Sequence, residues 1–378
     1  MKSMKIVLAP DKFKGALSSL EFCRIFKKGF SEVWPEANII SKPMADGGDG
    51  TLEVINHYLH AKRRSLQVND PLFRPLEGHY SINPSTKIAY IEMAIASGLE
   101  CLHPEERNCM LTTTLGTGEL IRDAIHQGAK HIILGIGGSA TNDAGMGMAQ
   151  ALGYRFLDRQ GKELAPIGKN LVRVYSIQSP EEKIWRRVRL EVACDVENPL
   201  FGPQGAAYVY GPQKGANSTE IAHLDQGLQN FANLIEKTAG TDLQQLPGAG
   251  AAGGLGAGLV GFLGAELVSG FSVIAARADL EESCAEANWI VTGEGQLDSQ
   301  TLSGKTIAGV WAIAQKHQIP LAAFCGRMEL AAGELPFAYS QAITPPGIPL
   351  TVALEKAPHY LEQAAHKFAI KLKQESIY

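Results

Sequence analysis

Paired cysteines at metal-binding spacing are missing from this chain. Among its 378 residues the six cysteines (Cys23, Cys101, Cys109, Cys194, Cys284, Cys325) stand apart, with no Cys-x-x-Cys and no histidine cluster at ligand spacing. A disulfide framework and a structural zinc are therefore not expected. Excess charge of one sign is missing too. Lys and Arg number 35 against 39 Asp and Glu, a net charge of −4, and no basic run interleaves with aromatic residues. That excludes a surface built to track nucleic-acid phosphates, so any polyanion site must be local. Long apolar runs are scarce. The opening MKSMKIVLAPDKFKG has too short an apolar stretch, and too early a proline and charge, for a signal peptide, so a cytoplasmic protein is expected. The stretch that could mimic a membrane span, GAGAAGGLGAGLVGFLGA from Gly248 to Ala265, is largely Gly and Ala in its first half and has neither an aromatic belt nor a basic flank. A glycine-rich loop entering a tightly packed helix is expected there instead.

What the chain has in abundance is glycine. Its 40 glycines exceed the usual share of about 7%. The length favours two domains, or one large one with insertions. KIVLAP reads as a short buried strand, and SSLE, with Ser18 and Glu21, as a capping box opening a helix to about Trp34. A second strand, IISKPMA, runs into DGGDGT, and TLEVINHYL has helical apolar spacing. This rhythm marks a parallel α/β sheet. From Arg63 to Gly98 the pattern becomes alternating residues and turns, as in strands joined by hairpins. Helix is expected over Thr117 to Gln127, strand at HIILGIG, helix at AGMGMAQALG, strand at RLEVACD and helix over Ala222 to Lys237. The α/β rhythm returns with NWIVTGEG, LSGKTIAGVWAIAQKHQ and PLAAFCG. The expected fold is two α/β domains. Residues 1–62 plus 286–378 form a discontinuous domain whose parallel sheet uses both chain ends, and residues 63–285 form an inserted domain with a mixed sheet.

The loop GIGGSATNDAGMG, Gly135 to Gly147, offers two readings. Gly135, Gly137 and Ala140 fit G-x-G-x-x-G/A, and Asp158 ends the next apolar run about 20 residues on, as in a dinucleotide site. On that reading the protein is a nicotinamide-dependent oxidoreductase. Against it, SATND puts polar side chains where such a helix would already be packed. A ligand-facing loop, with Asn142 or Asp143 as helix N-cap, is the expectation. LSGKT resembles the end of a phosphate loop, but Ser299 stands where that motif needs glycine. A helix start capped by Ser303 is expected there. A Ser-His-Asp or Cys-His arrangement is absent from the pattern, and so is GxSxG.

One arrangement recurs. PDKFKG, DGGDGT, GGSATND, CDVENP and TGEGQLD each set charged or amide side chains beside Gly, Pro or Asn at the carboxyl end of an expected strand, where an open parallel sheet places its ligand crevice. The inventory is Asp11, Lys12, Lys14, Asp46, Asp49, Ser139, Thr141, Asn142, Asp143, Asp195, Asn198, Glu294 and Asp298. Carboxylates beside lysines and helix-start amides suit phosphoryl transfer, in which Mg²⁺ takes hard oxygen ligands and a carboxylate takes the proton of an attacking hydroxyl.

Together, APDKFKGALSS, ADGGDGT, IEMAIASGL, TTLGTGELI, GIGGSATNDAGMG, CDVENPLFGPQGAA, PGAGAAGGLGAGL and TGEGQLDSQTLSGK resemble, in order and over nearly the whole chain, the type I glycerate kinase family. The resemblance implies phosphorylation of glycerate by ATP with Mg²⁺, at the 2-hydroxyl or else the 3-hydroxyl. It also implies a Rossmann- or flavodoxin-like domain built from both chain ends and an active site in the cleft between two domains. On it, Gly137, Gly138, Ser139, Thr141, Asn142 and Asp143 hold phosphates or glycerate, and Lys12 offsets charge on the transferring group. Asp195 is the expected base, with Asp49 second. Asp46, Glu294 and Asp298 are left for magnesium or sugar contacts, with Asp46 and Glu294 the metal candidates, Asn198 contacts substrate, and Lys14 or the amides of Gly47 and Gly48 meet the glycerate carboxylate. No nucleic-acid or membrane partner is expected, and a homodimer is allowed.

Overall fold

The computed structural model describes residues 4–46, 50–240, 242–244, 246–297, 305–329 and 335–375. Along the chain, β1 (Lys5–Leu8) leads into a helix, Ser19–Ser31. The Ser18 hydroxyl accepts the Glu21 N–H at 3.2 Å and the Glu21 carboxylate accepts the Ser18 N–H at 2.9 Å, which is the reciprocal cap written as SSLE. Ser18→Ala is expected to cost about 1 kcal/mol of stability, read as a lowered midpoint in thermal denaturation; an unchanged midpoint would remove the cap from the account. Next come β2 (Asn38–Ser41) and the helix Thr51–Leu59.

The alternating stretch forms β3 (Lys62–Asn69), β4 (Pro75–Ile82) and β5 (Ile88–Glu92). Then follow helix Leu115–His126, β6 (His131–Gly135), helix Met146–Ala151, β7 (Arg155–Leu157), β8 (Ser176–Gln178) and β9 (Arg189–Ala193). Helices Ser218–Ala239 and Ala251–Leu263, the second broken near its start by left-handed backbone at Ala252, Gly253 and Gly254, precede β10 (Glu266–Val268). The chain closes with β11 (Trp289–Leu297), helix Lys305–Lys316, β12 (Leu321–Met328), β13 (Tyr339–Ala342) and helix Leu350–Glu375.

Two compact units result. One is Met1–Tyr58 with Gly270–Tyr378, the other Leu59–Ser269. The short helices Gly270–Arg277 and Leu280–Cys284 thus belong to the unit made from both chain ends. That unit holds a five-stranded sheet in the order β13-β12-β11-β1-β2, parallel throughout. Side chains alternate across it. On β12, Ala322 and Phe324 join Phe22, Phe26, Phe30 and Phe368 in one core, while Ala323 and Cys325 join Leu297 and Ile307 in another. Phe26 meets Phe324 edge-on at 5.1 Å, an arrangement that the ring quadrupoles favour. The chain steps from β1 to β2 in one direction and from β11 to β12 in the other, so strand order reverses between β1 and β11. In such sheets the ligand crevice lies outside the carboxyl ends at that reversal.

The other unit holds a six-stranded mixed sheet, β10-β9-β6-β5-β4-β3. The pairs β3–β4 and β4–β5 are antiparallel hairpins, and β5, β6, β9 and β10 run parallel. Glu92, Gly135 and Ala193 stand level across β5, β6 and β9, so the loops that follow open on one edge. Among the described residues no helix is long and apolar enough to cross a membrane.

Candidate active site

In the unit formed by both chain ends, β1 delivers Asp11, Lys12, Phe13 and Lys14 to the strand-order reversal. The Asp11 N–H donates to the Gly293 carbonyl at 2.8 Å, which stitches this loop to β11. The Asp11 carboxylate is buried, accepting the Lys12 N–H at 2.7 Å and the Thr306 hydroxyl at 2.6 Å. Burial pushes its pKa up to about 6, and the charge of Asp46 adds to the rise, while the Thr306 and Lys12 contacts oppose it. A carboxyl group poised there can hold a proton or a cation near neutral pH. Lys12 is half-buried and Lys14 exposed, and both line a pocket of about 290 Å³ with Met44, Ser18 and Glu53. Asp46 and Glu294 are half-buried. Glu294 sits within β11, because that strand continues to Leu297 beside β12, where a loop was expected after TGEG. Asp49, Gly47, Gly48 and Asp298, together with the helix cap expected at Ser303, lie outside the described residues.

Because the folded Asp11 pKa of about 6 lies above the ordinary 3.8, the protonated form is favoured by folding. Its contribution is complete below 3.8 and is lost as the pH rises through about 6. Relative to Asp11→Asn, the wild type is expected to lose about 3 kcal/mol of stability across that window, measured by denaturant unfolding at several pH values. A pH-independent difference would contradict the assignment.

In the other unit, the loop after β6 exposes only Gly137 and Gly138. Ser139, Thr141, Asn142 and Asp143 are buried. Where a ligand-facing loop was expected, the SATND side chains are packed inside the unit. The Asp143 carboxylate accepts the Thr114 N–H and hydroxyl, both at 2.8 Å, the Gly147 N–H at 3.1 Å and the Gly145 N–H at 3.2 Å. Burial still pushes its pKa up, against those bonds. The helix begins at Met146 with Gly145 as N-cap, so neither Asn142 nor Asp143 occupies the cap position. What buries the loop comes from about 110 residues later in the chain. Gly253, at φ +67°, lies so close to the Thr141 carbonyl that a Cβ there would stand 2.0 Å from it, and the Ala144 N–H donates to the Gly253 carbonyl at 3.0 Å.

The dinucleotide reading fails on the same geometry. Its helix would have to start inside the glycine motif, but it starts 11 residues after Gly135. Asp158 follows β7, which pairs with β8 in a separate two-stranded sheet, and its carboxylate accepts the Gln160 and Lys162 N–H groups of a tight turn at 2.9 Å each.

After β9, the chain turns through Cys194 to Asp195, half-buried near the edge shared with Gly135. Asn198 is occupied by the fold: its amide donates to the Gln204 carbonyl at 2.9 Å and accepts the Tyr210 hydroxyl at 2.6 Å. Three residues escaped the sequence reading. Glu92 ends β5 level with Gly135, and only the strand boundary could have found it. Thr306 reaches Asp11 from 295 residues away. Lys214, inside YGPQKGA, is buried with its ammonium 2.7 Å from the Ser139 hydroxyl and 2.8 Å from the Thr141 carbonyl.

Acids beside lysines at the end of one parallel sheet, and a glycine loop beside an acid at the end of another, are the parts of an α/β phosphotransferase. The chain belongs to the glycerate kinase family, whose model matches residues 6–373. It is 42% identical to a glycerate kinase of Bacillus subtilis over 98% of both chains, and 44% identical to a glycerate 2-kinase of Escherichia coli over 86% of each. A crystal structure from Salmonella typhimurium LT2, described as a candidate glycerate kinase 2, covers both chains completely at 41% identity and a TM-score of 0.90.

Proposed function

We propose that this protein phosphorylates D-glycerate with ATP, giving 2-phosphoglycerate. The observation that carries the reading is the Asp11, Lys12, Lys14 and Asp46 cluster at the strand-order reversal, in a chain whose near full-length relatives are named glycerate kinases. The 2-hydroxyl follows the relative named a glycerate 2-kinase, and 3-phosphoglycerate is the other product the substrate allows.

In this reading Lys12 offsets charge developing on the γ-phosphoryl group. Asp195 takes the proton of the attacking hydroxyl, with Asp49 the next choice. Lys14 pairs with the glycerate carboxylate, and the Gly137–Gly138 turn holds an anionic oxygen. The repulsion between Asp46 and Asp11 fits a hard divalent cation, for which one or two carboxylates suffice when nucleotide phosphates and water complete the shell. Asp46 and Glu294 would hold Mg²⁺ there, which would shield the phosphate charges.

A coupled ADP-release assay with D-glycerate, run beside a hydride-transfer assay with nicotinamide cofactors, tests the reading. ADP release that depends on glycerate is the expected result. Hydride transfer without ADP release would overturn it.

A further inference from the structure

Lys214 is buried at 3% exposure in the unit Leu59–Ser269, yet among the described residues no carboxylate lies within ion-pair distance of it. Its two hydrogen bonds go to neutral oxygens, the Ser139 hydroxyl at 2.7 Å and the Thr141 carbonyl at 2.8 Å. A buried ammonium is costly unless something compensates its charge. A second observation points the same way. The Thr141 hydroxyl and both polar atoms of the Asn142 amide are buried without a hydrogen-bond partner. Buried polar atoms are normally satisfied, so orphans in the same segment that carries the ammonium's two hydrogen-bond partners mark a place with unused binding capacity. One residue from the ammonium's contact, the chain surfaces at Gly137 and Gly138, where Gly138 turns at φ +72°.

We infer that Lys214 is the buried positioning cation of an oxyanion site: through Ser139 and Thr141 it holds the exposed Gly137–Gly138 turn in place for a phosphate or carboxylate group and contributes the positive charge behind it. The inference rests on the glycerate kinase reading for the identity of that group, since both substrates are anions. It adds a residue that the loop motif does not contain.

The test uses the full chain with Lys214→Met and Lys214→Arg, varying ATP and D-glycerate separately. Lys214→Met is expected to raise KM for one of the two substrates by about tenfold or more, with a smaller change in kcat, and Lys214→Arg to recover part of the loss. A rise confined to ATP assigns the group as phosphate, and a rise confined to glycerate as carboxylate. The pH profile gives a readout that a merely structural residue would not move. Burial lowers the Lys214 pKa to about 8, while Cys109 and Asp143 face the ammonium and oppose the drop. The affected KM should therefore climb as the pH passes through about 8 in the wild type, and not with arginine. Unchanged KM values for both substrates in Lys214→Met would overturn the inference. If that variant does not fold, judged by its circular dichroism melt, Ser139→Ala replaces it, and wild-type KM values there would overturn it equally. Should the wild type form no ADP from glycerate, the kinase reading fails, while calorimetric titration with inorganic phosphate and with glycerate, wild type against Lys214→Met, still decides the site. Equal affinities in the two proteins would refute it.

Discussion

Asp195→Asn is expected to cut kcat for glycerate phosphorylation by about 10²–10⁴-fold while leaving KM for glycerate within a few-fold. The physical reason is that an amide keeps the size and shape of the carboxylate, and one of its two acceptor oxygens, but cannot accept the proton released as the hydroxyl attacks. That interaction exists only in the transition state, so its loss falls on kcat. The backbone around the residue is firmly held. The Cys194 N–H donates to the Val268 carbonyl at 2.9 Å, and the Gly250 N–H donates to the Asn198 carbonyl at 3.0 Å, so the substitution is not expected to move the loop. Turnover near that of the wild type, with an unchanged pH dependence, would remove Asp195 from the role of base.

The largest effect on stability is expected at Asp143. Asp143→Ala strips four donors of their acceptor at a fully buried position, and each buried donor left unsatisfied costs about 1–3 kcal/mol before any relaxation. A net loss of about 3–5 kcal/mol follows, or roughly 10 °C in melting temperature for a unit of this size. The loss should be structural in origin, because the Thr114 hydroxyl also accepts the Met148 N–H at 2.9 Å and the whole knot ties the β6 loop to two helices. Calorimetry of the purified variant measures it. A shift below about 1 kcal/mol would mean that the carboxylate is not the brace the geometry indicates.

These two aspartates show what a sequence can and cannot convey. Local features were legible. The Ser18 cap, the helix Thr51–Leu59, the three hairpin strands from Lys62 to Glu92 and the parallel strands at both chain ends all rest on short-range patterns that the structure keeps. The family was legible too, because it is spread over eight motifs. What stayed hidden depended on distant packing. Ser139 to Asp143 read as a ligand-facing loop because polar residues beside glycine favour turns. Nothing local shows that Gly253 and its neighbours cover them. Gly293 and Gly295 read as the end of a strand, but β11 continues through them because a partner strand lies tightly alongside: a Cβ on Gly326 would stand 2.6 Å from the Gly295 carbonyl. Lys214 read as loop, and only its depth beneath Ser139 sets it apart from other lysines.

The central claim is transfer of a phosphoryl group from ATP to a glycerate hydroxyl. A phosphorus NMR spectrum of purified protein with ATP, Mg²⁺ and D-glycerate tests it most directly, since it reports both the reaction and the position modified. The expected spectrum loses the γ-phosphate signal of ATP and gains those of ADP and 2-phosphoglycerate. A spectrum in which ATP persists and no phosphoglycerate appears would contradict the account.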